Sequence, residues 1–433
     1  MRNPSSRTAA GSAHELVASG AGFSLALLFL VSFFNYMDRY MLAVLLPSIK
    51  KDLALSDTGI GIITGFAFTI FYVTLGIPIA RLADRYSRKA IISVSLAIWS
   101  LMTGLCGLAQ NFVQLALARV MVGIGEAGAS PPAHSLISDY FPPAQRTRAM
   151  AVFTIGSPVG ITVGFLLGGW LAEAYSWRHA LWAVAVPGLL LAITAARKLH
   201  EPPRQCERGD LTAVPFLAVV RRLITSPAFR HICLGNGFYA AVWLGVVQWL
   251  PSFYSRSFEL GVARVGFLLA MVLGFSQLLG MLASGLVTDV ATRRNARWYA
   301  LVSAYGVLIS TPAFLLVFLA SAQWVSLAAA FFAFMLGVMQ GPACFAAVQA
   351  LAPPAMRATA AAILLLMTNL IGGIAGTPAA GIVSDLLRPV YGVDSLRYAL
   401  LSVALLFGAW AALHYFLASR TLGQELAEAR VEA

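Results

Sequence analysis

The sequence predicts an all-α polytopic membrane protein with twelve transmembrane helices. Of its 433 residues, 59% are hydrophobic and 11% are charged, whereas an average soluble protein carries about 25% charged residues. The apolar residues form runs of about 20 residues, the length at which a helix crosses a bilayer. These runs lack the alternation of apolar and polar residues that a membrane barrel requires. The backbone hydrogen bonds must therefore be made within helices.

Twelve apolar runs divide the chain into two sets of six. We expect an N-terminal half over 21–198, a linker over 199–228 and a C-terminal half over 229–418, with polar tails at 1–20 and 419–433. Residues 211–223 are mildly amphipathic, which fits either a helix on the lipid surface or a plain linker. The predicted spans are 21–48, 58–80, 89–110, 112–139, 147–173, 177–197, 229–254, 264–287, 297–319, 323–350, 356–384 and 395–418.

Basic residues between the spans predict the orientation. The termini and the even-numbered gaps hold 21 Lys and Arg residues, against seven in the odd-numbered gaps. By the positive-inside rule, we expect both termini and the linker to be cytoplasmic. We expect the membrane to be the cell (inner) membrane. This topology also accounts for the net charge of +12 without a nucleic-acid partner. The seven are Lys50, Lys51, Arg178, Arg256, Arg264, Arg388 and Arg397.

The two halves repeat a short pattern. Residues 141–146, before span five, match residues 352–357, before span eleven, with the double prolines 211 positions apart. Two six-span halves in the same orientation are typical of a transporter with its substrate path between the halves. Spans five and eleven are also rich in glycine, which allows either sliding or static close packing of helices.

Four charged residues fall inside apolar runs and are the main functional candidates. Asp38 and Arg39 lie in span one, and Arg119 and Glu126 lie in span four. An ionised group in the bilayer interior is costly unless it is paired or hydrated. Arg119 and Glu126 are seven residues apart, which places them on one helix face about 10 Å apart. His134 is expected near the same face.

This charge cluster suits proton coupling, because protonation of a carboxylate releases the arginine that it holds. We expect Asp38 and Glu126 to carry protons, with Arg39, Arg119 and His134 as charge partners or headgroup ligands. The alternative is a static set of buried ion pairs that fixes helix packing. The second half has Gln340 in place of Glu126, so proton handling belongs to the N-terminal half.

Aromatic and amide side chains in the spans suit a partly lipid-like ligand. Within this set, Tyr239 and Trp243 are one helical turn apart and could equally well pack together. The candidate cavity residues are Asn35, Tyr36, Asn236, Tyr239, Trp243, Gln340 and Asn369.

Two motifs resemble the major facilitator superfamily. Residues 84–89 after span two resemble its signature loop, and Arg119 with residues 123–125 resembles its span-four motif. The resemblance implies a cytoplasmic gate in which the Asp84 carboxylate holds the start of span eleven, near Met356. A carboxylate is favoured at a helix N-terminus. The gating residues implied are Asp84, Arg85, Arg88 and Lys89.

Within that superfamily the sequence resembles the Spinster family. The resemblance rests on residues 35–39, 123–127 and 139–141, together with 146–148. It implies a proton-linked carrier that moves lysophospholipid or a sphingosine-1-phosphate-like lipid by alternating access. The organic anion symporters, which carry hexuronates or aromatic acids and also have Asn-Tyr-x-Asp-Arg in span one, are the alternative.

The sequence does not favour an enzyme. Its six histidines and four cysteines show no metal spacing or disulfide framework, and no nucleophile with a base can be assigned. We therefore expect no catalytic residue, no bound metal and no cofactor, with protons as the coupling ion. The expected partners are an amphipathic lipid substrate and the bilayer, and the chain is expected to be a monomer.

Overall fold

The computed structural model describes residues 5–202, 216–352 and 356–431, and their regular structure is entirely helical. The first half of the chain, up to the linker, contains eight α-helices and one π-helical segment. These are α1 (Ser5–Asp52), α2 (Asp57–Gly61), the π segment (Ile62–Ala67), α3 (Phe68–Arg85), α4 (Arg88–Cys106), α5 (Phe112–Glu126), α6 (Ser130–Tyr140), α7 (Pro143–Ala174) and α8 (Trp177–Lys198).

The second half begins with a short helix in the linker, α9. Its elements are α9 (Phe216–Thr225), α10 (Pro227–Val247), α11 (Leu250–Ser257), α12 (Val262–Thr292), α13 (Trp298–Leu319), α14 (Gln323–Val338), α15 (Gln340–Leu351), α16 (Arg357–Ile371), a second π segment (Gly372–Gly376), α17 (Thr377–Tyr391), a 3₁₀ turn (Gly392–Asp394) and α18 (Ser395–Val431). Residues 203–215, which include the start of the predicted amphipathic segment, lie outside the described residues.

The described helices account for twelve membrane crossings, as the sequence predicts. Ten stretches are long and apolar enough to cross a bilayer, and α10 with α11, bent by 42°, adds another. One of the ten, Thr359–Ala427, has 69 residues; as one straight helix it would be about 100 Å long, over three times the hydrocarbon thickness. It crosses twice, because α17 packs against α18 and the chain reverses at Gly392, whose φ is 56°.

Side-chain caps fix where several spans begin. The hydroxyl of Ser87 accepts from the N–H of Ala90 at 3.2 Å at the start of α4. The Asn111 side chain accepts from the N–H of Gln114 at 3.0 Å at the start of α5. Such contacts satisfy amides that have no partner within the helix. At the chain ends, by contrast, α1 begins at Ser5 and α18 continues to Val431, so both predicted tails contain helix.

The fourth span is broken just after its glutamate. Helix α5 ends at Glu126 and α6 begins at Ser130, because the N–H groups of Gly128 and Ala129 bond to carbonyls three residues earlier. A Cβ at Gly125 would lie 2.7 Å from the backbone nitrogen of Trp99. The chain at this break is therefore in close contact with α4.

Contacts within the chain define two compact units whose boundaries differ from the predicted halves. Residues 1–42 and 71–210 form the first unit, and residues 43–70 and 211–433 form the second. The end of α1, α2 and the first π segment thus belong with the second unit. Close packing explains this, since a Cβ at Gly65 would lie 2.8 Å from the carbonyl oxygen of Gly373.

In the first unit, glycines let α7 lie directly against α1. A Cβ at Gly160 would lie 2.4 Å from the Phe33 carbonyl oxygen, and one at Gly164 would lie 2.7 Å from that of Met37. Backbones at this separation tolerate no larger residue. This packing places the turn of α1 that contains Asp38 directly against α7.

Candidate functional site

The first of two ion pairs in the first unit joins α1 to α5. Asp38 and Arg119 are 1% and 3% exposed, and Oδ2 of Asp38 lies 3.6 Å from Nη1 of Arg119. The same oxygen accepts a hydrogen bond from the Thr103 hydroxyl on α4 at 2.9 Å. Asp38 therefore bridges three helices of this unit.

The second ion pair lies one residue further along α1. Nε of Arg39 donates to Oε2 of Glu126, and Glu126 is 1% exposed. The guanidinium carbon of Arg39 lies 4.8 Å from the ring centre of Tyr72 and 5.7 Å from that of Tyr36, within the range of cation–π attraction. The Arg39 side chain is 21% exposed, so this cation is the member of the cluster that is accessible to a ligand.

We call Asp38, Arg39, Arg119 and Glu126 the charge cluster. The structure brings these four predicted residues together and pairs each charge of one helix with an opposite charge of the other. Oδ1 of Asp38 and Oε1 of Glu126 are buried with no hydrogen-bond donor among the described residues. Each carboxylate thus has one oxygen in an ion pair and one oxygen that makes no hydrogen bond within the described residues.

His134 does not join the charge cluster. Its Nδ1 lies 2.7 Å from the carbonyl oxygen of Ser130, and its ring meets Phe153 edge-on at 5.0 Å. The prediction assumed an unbroken helix from Glu126 to His134. The turn over 127–129 interrupts that helix, so the spacing of the two residues no longer places them on one face. Two neighbours of the cluster, Tyr72 and Thr103, went unnoticed in the sequence because neither is charged and each is distant in the chain.

Several predicted cavity residues are engaged within the second unit. The Asn236 amide donates to the Thr368 hydroxyl, and Oε1 of Gln340 accepts from the Tyr415 hydroxyl. Tyr239 is 3% exposed, and a Cβ at Gly337 would lie 2.0 Å from its hydroxyl oxygen.

The remaining cavity candidates make contacts close to their own positions. The Trp243 ring meets Phe334 edge-on at 5.4 Å, and the Asn369 amide donates to the Leu365 carbonyl at 2.8 Å. In the first unit, Asn35 is 6% exposed and Tyr36 lies beside Arg39. Of these candidates, Tyr36 is therefore the one in contact with the charge cluster.

The predicted gating loop contributes a buried arginine rather than a row of surface charges. Arg88 is 2% exposed; its Nε donates to Glu201 and its Nη1 to Ser135, each at 2.9 Å. It also donates to Asp139. Arg85 is exposed and Lys89 is half-buried. The Asp84 side chain lies outside the described residues, so its predicted gating contact stays a prediction.

Glu201 completes this Arg88 cluster, which consists of Arg88, Asp139 and Glu201. Its Oε2 accepts from the Ser87 hydroxyl and from the Lys89 N–H, each at 2.8 Å. Burial opposes ionisation, but the Lys89 N–H, Arg88 and Ser87 outweigh it and lower the pKa of Glu201 below its ordinary value. The signal in the sequence was a Glu followed by two prolines at the start of the linker.

In the described part of the chain, no three or more His, Cys, Asp or Glu side chains are grouped to hold a metal ion. The site consists of paired intramembrane charges and a buried arginine at a helix start, on described helices that account for twelve crossings of the bilayer. This combination is typical of a membrane transporter.

Comparison with known proteins identifies the family. The family model for the Major Facilitator Superfamily matches residues 28–377. An "MFS-type efflux pump" of Mycolicibacterium smegmatis is 33% identical over 411 residues, which cover 94% of each chain. "Protein spinster homolog 1" of Xenopus laevis is 30% identical over 408 residues, covering 87% of this chain and 77% of that protein.

A solved structure gives the same result. The crystal structure of a bacterial homologue of the human lysosomal transporter Spinster, in an inward-facing and unoccupied conformation, has a TM-score of 0.86 and 29% identity, covering 94% of this chain and 98% of the other. The chain belongs to the Major Facilitator Superfamily, and within it to the Spinster-like transporters. It is a secondary transporter and not an enzyme.

Proposed function

We propose that the protein is a proton-coupled transporter that moves an amphipathic anionic or zwitterionic lipid, of the lysophospholipid or sphingosine-1-phosphate type, by alternating access. Its membership of the Spinster-like transporters supports this substrate class. We propose the cell (inner) membrane as its location, with both termini in the cytoplasm according to the positive-inside rule.

The observation that carries the proposal is the pairing of Arg39 with Glu126. A headgroup phosphate that binds Arg39 competes with the Glu126 carboxylate for the same guanidinium. Protonation of Glu126 removes this competition, so the proton and the anionic headgroup favour each other's binding. Such positive linkage couples the two ligands in the same direction of transport.

Asp38 extends this coupling to α5 and α4. It precedes Arg39 in α1, so a movement of Arg39 towards a headgroup also disturbs the contact between Asp38 and Arg119. Protonation of Asp38 would weaken that contact in turn. The two carboxylates thus form one coupled unit that takes up protons together with substrate.

Reconstituted transport tests the proposal. Proteoliposomes would receive fluorescent lysophosphatidylglycerol on the outside, and the fraction that reaches the inner leaflet would be measured by its protection from a membrane-impermeant reductant. An acidic exterior should accelerate this transfer. Transfer that is insensitive to the pH gradient, or faster when the gradient is reversed as in counter-transport, would contradict the proposed symport.

The same assay distinguishes the second substrate class. Arg39 could also bind the carboxylate of a small organic anion, as in the hexuronate carriers that share Asn-Tyr-x-Asp-Arg. Excess glucuronate should leave lysolipid transfer unchanged, whereas unlabelled lysolipid should inhibit it. Accumulation of radiolabelled glucuronate, without lysolipid transfer, would favour the organic anion carrier instead.

A further inference from the structure

Asp57, the first residue of α2, is the centre of a buried ionic junction in the second unit. It is 1% exposed. Arg256 of α11 donates to both carboxylate oxygens, from Nη1 to Oδ2 at 2.8 Å and from Nη2 to Oδ1 at 2.6 Å. Ser384 of α17 donates to Oδ2 at 2.7 Å, and Lys50 of α1 donates to Oδ1. The fork-like Arg–carboxylate pair is the strong form of such contacts.

A second carboxylate ties the backbone of α2 to the same place. Oδ2 of Asp385 accepts from the N–H of Thr58 at 2.7 Å, and its Oδ1 accepts from the N–H of Asp57 at 3.2 Å. The Asp57 carboxylate therefore binds a side chain of α17, and the Asp385 carboxylate of α17 binds backbone amides of α2. We call Lys50, Asp57, Arg256, Ser384 and Asp385 the Asp57 latch.

Beyond the Asp57 latch, residues 57–69 pack so closely on residues 373–385 that their backbones are nearly in contact. A Cβ at Gly381 would lie 2.3 Å from the carbonyl oxygen of Asp57, and one at Gly61 would lie 3.0 Å from the Cα of Pro378. Further along, a Cβ at Gly373 would lie 2.1 Å from the Thr69 hydroxyl oxygen. No substrate can pass between residues 57–69 and residues 373–385 while these contacts persist.

The distribution of basic residues gives an independent reason to regard the latch as functional. Lys50 and Arg256 belong to the seven basic residues that fall on the sparse side of the positive-inside pattern. A third, Arg388, lies near enough to Lys50 to influence its charge. Two of the seven exceptions thus contact one buried aspartate, and a third lies near Lys50.

We propose that the Asp57 latch is the extracytoplasmic gate, and that its release is the step that opens the substrate path to the outside. This rests on the proposed function and orientation. In the latched state residues 43–70 pack with the second unit, while the earlier part of α1 and α3 from residue 71 onward pack with the first. Removing one partner of a buried ion pair leaves the other charge uncompensated, so a weakened latch shifts the population towards the open gate.

Thiol labelling tests the gate without substrate or proton gradient. Thr69 is 5% exposed, and its hydroxyl faces Gly373. In a Thr69→Cys protein, a membrane-impermeant maleimide added outside intact cells should react slowly. Adding Asp57→Asn, or Arg256→Gln, should raise the labelling rate at least about tenfold, because one partner of a buried pair is lost. The otherwise native chain, with Thr69 retained, gives the background from its own cysteines.

Asp394→Asn provides the matched control. Asp394 pairs with Arg397 at 3.3 Å, but its side chain is 45% exposed, so its loss should leave labelling unchanged. Equal labelling with and without Asp57→Asn and Arg256→Gln, in protein with normal gel-filtration profiles, would overturn the proposal. So would an increase that Asp394→Asn reproduces, or one seen only from the cytoplasmic face. Lys50→Met removes one of the two cations that contact Asp57. It replaces Asp57→Asn and Arg256→Gln in the test if those two variants do not fold.

The two proposals can fail separately. Labelling of Thr69→Cys depends on the Asp57 latch alone and requires no coupling by Asp38 or Glu126. A latch that behaves as expected in a protein without pH-driven lipid transfer would therefore refute the proposed coupling and leave the gate standing.

Discussion

Asp38 and Arg39 are consecutive residues of α1, yet their side chains pair with opposite charges seven residues apart on α5. Asp38 faces Arg119 and Arg39 faces Glu126. Both pairs therefore start from one turn of α1 and end on one face of α5. In the proposed mechanism, this shared turn lets a proton or an anion that breaks one pair disturb the other.

Binding of an anionic lipid should depend on the geometry of Arg39. Arg39→Lys keeps the charge but loses the planar fork that matches phosphate, so lysophosphatidylglycerol should bind about tenfold more weakly. The phosphate-free monoacylglycerol with the same chain should bind equally to both proteins. Arg81→Lys, at an exposed position on α3, is the control. An equal loss for both lipids would assign Arg39 a purely structural role.

Glu126→Gln should remove the pH dependence of lipid binding. In the native protein, acidification protonates Glu126 and frees Arg39, so lysolipid affinity should increase as pH falls. The variant has no carboxylate to compete with the headgroup and should show the low-pH affinity throughout. Tryptophan-fluorescence titrations over a pH series would measure this. A variant that keeps the native pH profile would show that Glu126 does not compete for Arg39.

Thr103→Val should destabilise the protein through Asp38. The substitution preserves shape but removes the hydroxyl that donates to Asp38 Oδ2 at 2.9 Å, which costs about 1–3 kcal/mol for a buried polar group. Thr154→Val is the matched control, since the Thr154 hydroxyl donates only to the Met150 carbonyl of its own helix. Thermal unfolding in detergent should separate the two. Equal melting temperatures would mean that the Thr103 contact contributes nothing.

Acid should weaken the Arg88 cluster through Glu201. The folded-state pKa of Glu201 lies below its ordinary value, so its stabilising contribution is complete above the unfolded-state pKa and is lost as pH falls through the folded-state pKa. Melting temperature should therefore decline below about pH 4.3. Glu201→Gln should flatten part of this decline, whereas Glu259→Gln, at an exposed position, should not. Identical acid profiles for all three proteins would contradict the assignment.

Local sequence patterns were sufficient to predict the spans and the intramembrane charges. Apolar runs reveal helices because lipid imposes their length, and Asp38, Arg39, Arg119 and Glu126 stand out because charges in such runs are rare. The glycine-rich span five also packs closely on another helix, as Gly160 does on α1. These features depend on neighbours along the chain.

Pairings between distant residues could not be predicted in the same way. Asp57, Lys50 and Arg256 look like ordinary loop charges, and only the packing of α2 on α17 makes Asp57 a buried centre. Likewise, the turn after Glu126, which separates His134 from the cluster, follows from close contact of Gly125 and Gly128 with α4. Such contacts depend on how helices far apart in sequence pack together.

Proton movement driven by lipid is the most direct test of the coupling proposed for Asp38 and Glu126. Proteoliposomes containing a pH-sensitive dye, with no initial pH gradient, would receive lysophosphatidylglycerol outside. The native protein and Glu259→Gln should acidify the interior as the lipid enters, and Asp38→Asn and Glu126→Gln should each abolish this acidification. Lipid entry without acidification by the native protein, or undiminished acidification by both variants, would contradict proton coupling through the charge cluster.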